Sequence, residues 1–219
     1  MAIRKILLDT LWRGVDPFVG FPKGLFGLDP QGWNSNHPYL TDTIIRHRPQ
    51  TIVEIGVWKG ASVITMAKQI QTSEIDGVII AVDTWLGSSE HWLRPDWFAG
   101  MSCLFGHPQI YQKFMTNVIE SGTENIVIPL PIDSINAAAI LRAREIDIDM
   151  VHIDGGHHYD TVTLDLKAWW SLLRSGGVLV GDDYGMEWPE VKSAIDDFLS
   201  HTPHANFEAL PPKCRATKI

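Results

Sequence analysis

Three aspartates and two histidines stand at two points of one stretch, Ile146 to Tyr184, which reads IDIDMVHIDGGHHYDTVTLDLKAWWSLLRSGGVLVGDDY. Met150 to Ile153 is a short apolar run that stops at Asp154 and the turn Gly155-Gly156, and Val178 to Val180 is another that stops at Asp182 and Asp183. Between them Leu164, Leu166, Trp169, Trp170, Leu172 and Leu173 recur at helical spacing, with Gly176-Gly177 as the expected helix stop. A strand, a crossover helix and a second strand in one sheet pack right-handed and parallel, so both strand ends open on the same edge. Asp154, Asp182 and Asp183 are therefore expected at one crevice, with His157 and His158 beside the first. Converging carboxylates repel one another without a cation. A histidine next to them can carry a proton near neutral pH, and the choice between His157 and His158 stays open.

A second set precedes the first. VEIGVWKGAS followed by AVDTW reads as strand, glycine turn, helix, strand and acidic tip, the layout of a nucleoside site. Gly56 and Gly60 let backbone approach a ligand closely, and Asp83 at the tip of the next strand can accept two hydrogen bonds from a ribose diol. The spacing departs from G-x-G-x-x-G, because Val57, Trp58 and Lys59 separate the two glycines, and this weakens a dinucleotide reading.

The elements that must position these residues alternate along the chain. Strands are expected at Thr51–Gly56, Val78–Val82, a segment ending at Val127–Pro129, Met150–Ile153 and Val178–Val180. Helices are expected at Tyr39–His47, Lys59–Gln71, Gln109–Glu120, Ser134–Arg144 and Pro189–Leu199, the last with proline in its first turn where the missing N–H costs little. NFEALPPKCRATKI reads as two short strands around Pro211-Pro212. The fold class is thus α/β and doubly wound, a mostly parallel Rossmann-like sheet with an antiparallel C-terminal hairpin edge. Residues 1–36 read as an aromatic N-terminal arm, either covering the site or completing the core, and residues 37–219 as a single domain. An insertion with one short helix is expected at about 84–108, where Trp85, Trp92 and Trp97 could stack on a ligand or form a small core of their own.

Composition narrows the function classes. With 219 residues and 45% apolar content the chain is long enough for a full core. A net charge of -8 argues against nucleic acid as a partner. Two distant cysteines, Cys103 and Cys214, make no disulfide framework and are expected as small buried apolar residues of a cytoplasmic protein. The apolar run of IRKILLDTLW is broken by Asp9, too soon for a signal peptide or a membrane span. It reads as a short amphipathic segment of the kind that packs on a neighbouring subunit.

The pattern E-x-G-x-x-x-G-x-S at Glu54 to Ser62, with Asp83 after it, resembles the S-adenosylmethionine site of class I methyltransferases. Taken with Asp154, His157 and Asp182-Asp183, the chain is similar over about residues 51–199 to the metal-dependent O-methyltransferases of sugar and natural-product pathways. More distantly it resembles the catechol and caffeoyl-CoA enzymes. The resemblance implies that Gly56, Gly60 and Ser62 lie against the cofactor, Glu54 supports its methionine end, Asp83 holds the ribose, Trp85 lies near the adenine, and Asp133-Ser134 close over the base. It implies Asp154, Asp182 and Asp183 as metal ligands and His157 as catalytic base. An Asp-Asp pair departs mildly from the relatives, which leaves open whether both bind the ion. For Asp133 and Ser134 a helix N-cap is the equal rival, and Asp165 reads as an ordinary surface or cap position.

Such an enzyme has a chemical reason for pairing a base with an ion. A histidine near 6.5 and an alcohol near about 15 differ by roughly 8 pKa units, on the order of 11 kcal/mol. A divalent cation on the hydroxyl closes much of that gap. Carboxylate ligands are hard donors, so magnesium is expected, with manganese or calcium as substitutes. The expected protein is a magnesium-dependent O-methyltransferase using S-adenosylmethionine on a small-molecule acceptor, without membrane or nucleic-acid partners, and forming a homo-oligomer. An NAD-dependent oxidoreductase and a non-catalytic nucleoside-binding module are the alternatives.

Overall fold

TIVEI and VIIAV are continuous apolar or buried runs, the signature of strands covered on both faces, and every residue of both is buried. The computed structural model describes residues 2–22, 24 and 26–219, so Met1, Lys23 and Leu25 of the expected arm lie outside the described residues. The chain runs α1 (Ala2–Trp12), α2 (Pro38–His47), β1 (Thr51–Ile55), α3 (Ala61–Thr72), β2 (Val78–Val82), α4 (Ser89–Leu93) and α5 (Pro95–Gly100). It continues with α6 (Ile110–Glu120), β3 (Val127–Leu130), α7 (Ser134–Ala143), β4 (Ile148–Ile153), α8 (Tyr159–Leu172), β5 (Leu173–Gly181), α9 (Pro189–Ser200), β6 (His204–Leu210) and β7 (Lys213–Lys218).

Among the described residues the strands form one seven-stranded sheet in the order β3-β2-β1-β4-β5-β7-β6. The first five are parallel and β7 and β6 are antiparallel, as the sequence led us to expect. Alternating side chains feed two cores. Val53, Ile80 and Val151 face α1, α7, α8 and α9, while Ile52, Ile79 and Met150 face α2, α3 and α6. The order reverses between β1 and β4, and ligands of open α/β sheets bind beyond the carboxyl ends of the strands at such a point. Gly56 and Asp154 both follow those two strands.

Several local expectations change. The segment expected to pack on another subunit is helix α1, and its Leu7 and Leu8 are buried in this chain's own core. It is fastened by a two-point ion pair of Arg4 with Asp16, at 2.9 and 3.1 Å, and by the Trp12 indole N–H on Pro129 O at 2.9 Å. The insertion holds two short helices rather than one, divided at Arg94 by Pro95. Cys214 is buried as expected, whereas Cys103 is exposed. Gly176-Gly177 do not stop the helix. It ends at Leu172, and the glycines lie in the bulged start of β5, where a Cβ on Gly177 would come within 2.7 Å of Leu173.

The described part of the arm contributes both to the core and to the cavity wall. Phe18 is buried in the core, and residues 31–35 reach the mouth of the crevice. Asp29 anchors that reach. Its carboxylate receives Lys59 Nζ at 2.7 Å and Lys113 Nζ at 2.9 Å, and its N–H donates to the Asn117 side chain at 2.9 Å. Asn117 Nδ2 in turn donates to Asp29 O and to Lys59 O.

Candidate active site

The glycine turn after β1 is forced by contact. Gly56 has φ +79, and a Cβ there would lie 1.9 Å from the carbonyl oxygen of Asp154, so only glycine lets the ends of β1 and β4 meet. Gly60, with φ +86, caps α3 against the Phe114 ring, which a Cβ would approach to 2.8 Å. Between them Trp58 takes φ 52, a left-handed conformation that is uncommon for a bulky residue. Its indole N–H donates to Gln31 Oε1 at 2.6 Å, and its amide donates to Asp83.

Asp83 staples this turn. Its Oδ2 accepts the Val57 and Trp58 amides at 2.8 and 2.9 Å, and its Oδ1 accepts the Trp85 amide at 2.7 Å. Burial pushes its carboxyl pKa up, against the pull of these amides. It still forms part of the cavity wall. Trp85 lies on the cavity wall, with most of its surface packed. It is 1% exposed, packed on Phe114 and Tyr111 at ring separations of 4.8 and 4.9 Å, with its indole N–H on Trp58 O. Packed in this way, it supports the turn from beneath while forming part of the cavity wall.

Glu54 and Ser62 are both buried and hydrogen-bonded to each other. Burial raises Glu54 to about 8, which favours its neutral acid form. Ser62 lies on the cavity wall, with Glu54 behind it. Asp133 is the N-cap of α7, accepting the Asn136 amide at 3.0 Å, so the rival reading considered for it is the one the local geometry satisfies. Ser134 donates to Asp165 Oδ1 at 2.5 Å and accepts the Trp169 indole N–H at 2.8 Å. Asp165 is therefore not an ordinary surface or cap residue. It is 4% exposed, sits on the cavity wall, and burial lifts it to about 6. Its signal was present in the helical spacing, one position before Leu166.

At the other end of the cavity Asp154, Asp182 and Asp183 all lie on the wall, but among the described residues the three expected metal ligands do not bring their oxygens within 4.8 Å of one another. Lys213 on β7 is fully buried and its ammonium binds Asp182 Oδ2, while Asp182 Oδ1 accepts the Asp183 amide at 2.7 Å. Both Asp182 oxygens are thus engaged, and the same ammonium lies 3.1 Å from His152 Nε2. The Asp154 side chain accepts no hydrogen bond among the described residues. Burial, then Asp182 beside it, pushes its pKa well above the carboxylate range. Among the described residues, Glu54, His152 and Asp154 are the group of three such ligands gathered within 4.8 Å. Glu54 and His152 are fully buried behind the wall, and burial depresses His152 to about 3.

His157 is held on three sides. Its Nε2 is 3.0 Å from Asp183 Oδ2, its Nδ1 is 3.5 Å from Glu90 Oε1, and its ring stacks on Trp188. Burial pulls its pKa down, but Asp183 and then Glu90 outweigh that and leave it raised. Glu90 is opposed by burial too, yet bonds from Ser88 and the charge of His157 bring it to about 2. His158, the other histidine considered, caps α8, and its side chain is 64% exposed. Sequence reasoning missed Glu90, Lys213 and Arg94, since neither a strand end nor a recognisable spacing marks them.

Both ends belong to one cavity of about 750 Å³, within the ordinary size of a small-molecule site. Its outer wall is aromatic. Trp33 lies 5.2 Å from Trp97 and 6.1 Å from Trp58, and Trp97 lies 6.4 Å from Trp188.

Comparisons with known proteins agree with this architecture. A family model described as a methyltransferase domain matches residues 53–184. The chain is 26% identical over 159 residues to uncharacterized protein y4gI of Sinorhizobium fredii (strain NBRC 101917 / NGR234), a match that covers 71% of this chain. It spans 15% of the length of that curated relative. The calicheamicin methyltransferase CalS11 superposes with a TM-score of 0.59 at 19% identity, over 81% of this chain and 75% of that one. The O-methyltransferase from Bacillus cereus, solved in complex with SAH, gives 0.60 at 12% identity, over 99% of this chain and 97% of that one. At these identities the two structural likenesses are likenesses of fold.

Proposed function

The chain belongs to the methyltransferase-domain family, and from that premise we propose that it is an S-adenosylmethionine-dependent O-methyltransferase for a hydroxyl of a small acceptor, with His157 as general base. One observation carries this reading: a single cavity has the glycine turn and Asp83 at one end and the His157–Asp183 pair at the other. The two relatives of like fold, one of them an O-methyltransferase bound to SAH, support it.

The residues present accommodate a nucleoside and a hard cation. Gly56 brings bare backbone to the cavity, and Asp83 Oδ1, with one amide bond, keeps accepting capacity. Asp154 and Asp183 would hold magnesium, with manganese or calcium as substitutes, since this ion takes one or two carboxylates and keeps several waters. Burial, and after it the charge of Asp182, raise the Asp154 pKa, and a bound cation would favour its ionised form. Asp182, engaged by Lys213 and by the Asp183 amide, is left out of the proposed ligand set. When bound, S-adenosylmethionine supplies an electrophilic methyl group and the cation lowers the pKa of the acceptor hydroxyl.

The chain's own part is proton management and an apolar lining. With the neutral ring's N–H on Nε2 held by Asp183, Nδ1, which is buried without a hydrogen-bond partner, is the atom that would take the acceptor's proton, and Asp183 with Glu90 3.5 Å away would stabilise the imidazolium so formed. Trp33, Trp58, Trp97 and Trp188 line that half of the cavity with apolar surface.

A thermal-melt matrix tests the proposal, with S-adenosylmethionine, S-adenosylhomocysteine or NAD, each with magnesium or chelator. A ligand at 100 times its Kd adds about 2.7 kcal/mol. The two adenosyl compounds are expected to raise Tm, NAD to leave it unmoved, and magnesium to add a separate increment. A shift with NAD alone would overturn the methyltransferase reading, and a shift without a magnesium increment would remove the metal from it.

A further inference from the structure

Among the described residues Arg94 is the sole lysine or arginine on the cavity wall, which otherwise carries Asp83, Asp133, Asp154, Asp165, Asp182, Asp183 and Glu187. Among the described residues no carboxylate lies within 4.0 Å of its guanidinium and no side chain or carbonyl accepts a hydrogen bond from it. The group is nevertheless placed. It extends from the junction of α4 and α5, with its Cζ 4.6 Å from the Trp97 ring centre and 5.4 Å from that of Trp188. Two indoles hold the flat cation by their electron-rich faces and leave its donors without a protein partner. A guanidinium so presented matches the paired oxygens of a carboxylate or a phosphate.

Packing alone would explain an arginine stem lying along tryptophans. It does not explain a lone cation at the mouth of an acidic cavity with six or more carboxylates nearby and a pair with none of them. Asp83, Asp182, Asp165 and Asp183 are engaged elsewhere, by backbone amides, by Lys213, by Ser134 and by His157, and Asp154 and Glu187 form no ion pair with Arg94. Trp188 meets both Arg94 and the His157 ring, which sets the two functions about one indole apart.

We propose that Arg94, with Trp97 and Trp188, is an acceptor subsite for an anionic group, so that the acceptor is a ring compound bearing a carboxylate or phosphate on the same ring as the methylated hydroxyl or on the next. The ring lies against the Trp33–Trp97 panel and the anion meets the guanidinium. This assignment of acceptor class rests on the O-methyltransferase reading, but the anion site itself does not.

Binding of benzoate, phenyl phosphate and phenol, followed by quenching of tryptophan fluorescence in chelator with S-adenosylhomocysteine present, tests it. Wild-type protein is expected to bind at least one of the two anions about tenfold more tightly than phenol, and Arg94→Gln to lose that difference while melting like wild type and keeping its affinity for S-adenosylhomocysteine. Arg94→Lys keeps the charge but not the fork, and is expected to fall between them. Benzoate alone binding identifies a carboxylate site, and phenyl phosphate alone a phosphate site. No anion binding up to the solubility limit, equal binding of phenol, or an unchanged Arg94→Gln overturns the proposal. Failure of S-adenosylhomocysteine to bind, with anion binding intact, would instead strike the methyltransferase reading and leave the anion site standing.

Discussion

The imidazole of His157 lies 3.8 Å from the Trp188 indole, within 17° of parallel, so the histidine is fixed by a face as well as by its edges. Asp183 and Glu90 define the ring's plane, and the indole stops it tilting. Trp188→Ala is expected to lower kcat about tenfold with S-adenosylhomocysteine affinity kept, and Trp188→Phe to restore most of it. His157→Ala is expected to cost about 10²-fold or more in kcat, and His158→Ala little. Steady-state kinetics with calorimetry for the nucleoside decide this, and a full-rate His157→Ala would remove the base.

Gly56 and Gly122 both have positive φ, at +79 and +69, but differ in their surroundings. Gly122 has nothing within 4 Å of a built Cβ, so Gly122→Ala is expected to cost only the strain of the left-handed backbone, about 1–2 kcal/mol. Gly56→Ala adds a collision with the Asp154 carbonyl at 1.9 Å and should part β1 from β4. Chemical denaturation should show the larger loss for Gly56→Ala, together with loss of nucleoside binding. Equal losses would mean the two strand ends are not pinned there.

Asp165 gives the protein a pH dependence of known sign. Its folded pKa of about 6 stands above the 3.8 of the free side chain, because burial disfavours the charged form. Its contribution to stability is therefore fully present below about pH 4 and is lost as pH rises through about 6. The difference corresponds to about 3 kcal/mol. Asp165→Asn cannot ionise, so wild-type stability is expected to fall relative to this variant between pH 4 and 7.5 in urea titrations. A constant difference would show that the carboxylate is not desolvated.

Lys213 and Asp182 form a buried ion pair, and such a pair is costly to half-remove. Lys213→Met is expected to destabilise by about 3–5 kcal/mol, leaving a carboxylate without its cation, and Lys213→Met with Asp182→Asn to recover much of the loss. Magnesium should also rescue Lys213→Met in part if a cation can take the ammonium's place, which Tm in magnesium against chelator would reveal.

The sheet was legible because buried parallel strands are nearly uninterrupted apolar runs, and each ended where Gly56, Asp83, Asp154 or Asp182 begins a turn. Partners that arrive from far along the chain were not. Lys213 reaches Asp182 from the antiparallel edge strand, and nothing in KCRATK announces it. Glu90 reaches His157 from an insertion with no periodicity to follow. For Trp85 the position beside Asp83 suggested the cavity wall, where it lies, but not the packing of Tyr111 and Phe114 from α6 against it. Gly176-Gly177 read as a helix stop because a bulged strand start and a helix end call for the same flexible residue.

The clamp around Asp29 bears on how this protein could change its chemistry over generations. The rim formed by residues 31–35 comes from a segment outside the alternating strands and helices, and is fastened to them mainly by one carboxylate, two lysines and one asparagine. A lineage that keeps these four side chains can rewrite the rim between them without disturbing the nucleoside end. Acceptor preference can then drift by swapping a strap of a few residues while the engine beneath is inherited unaltered.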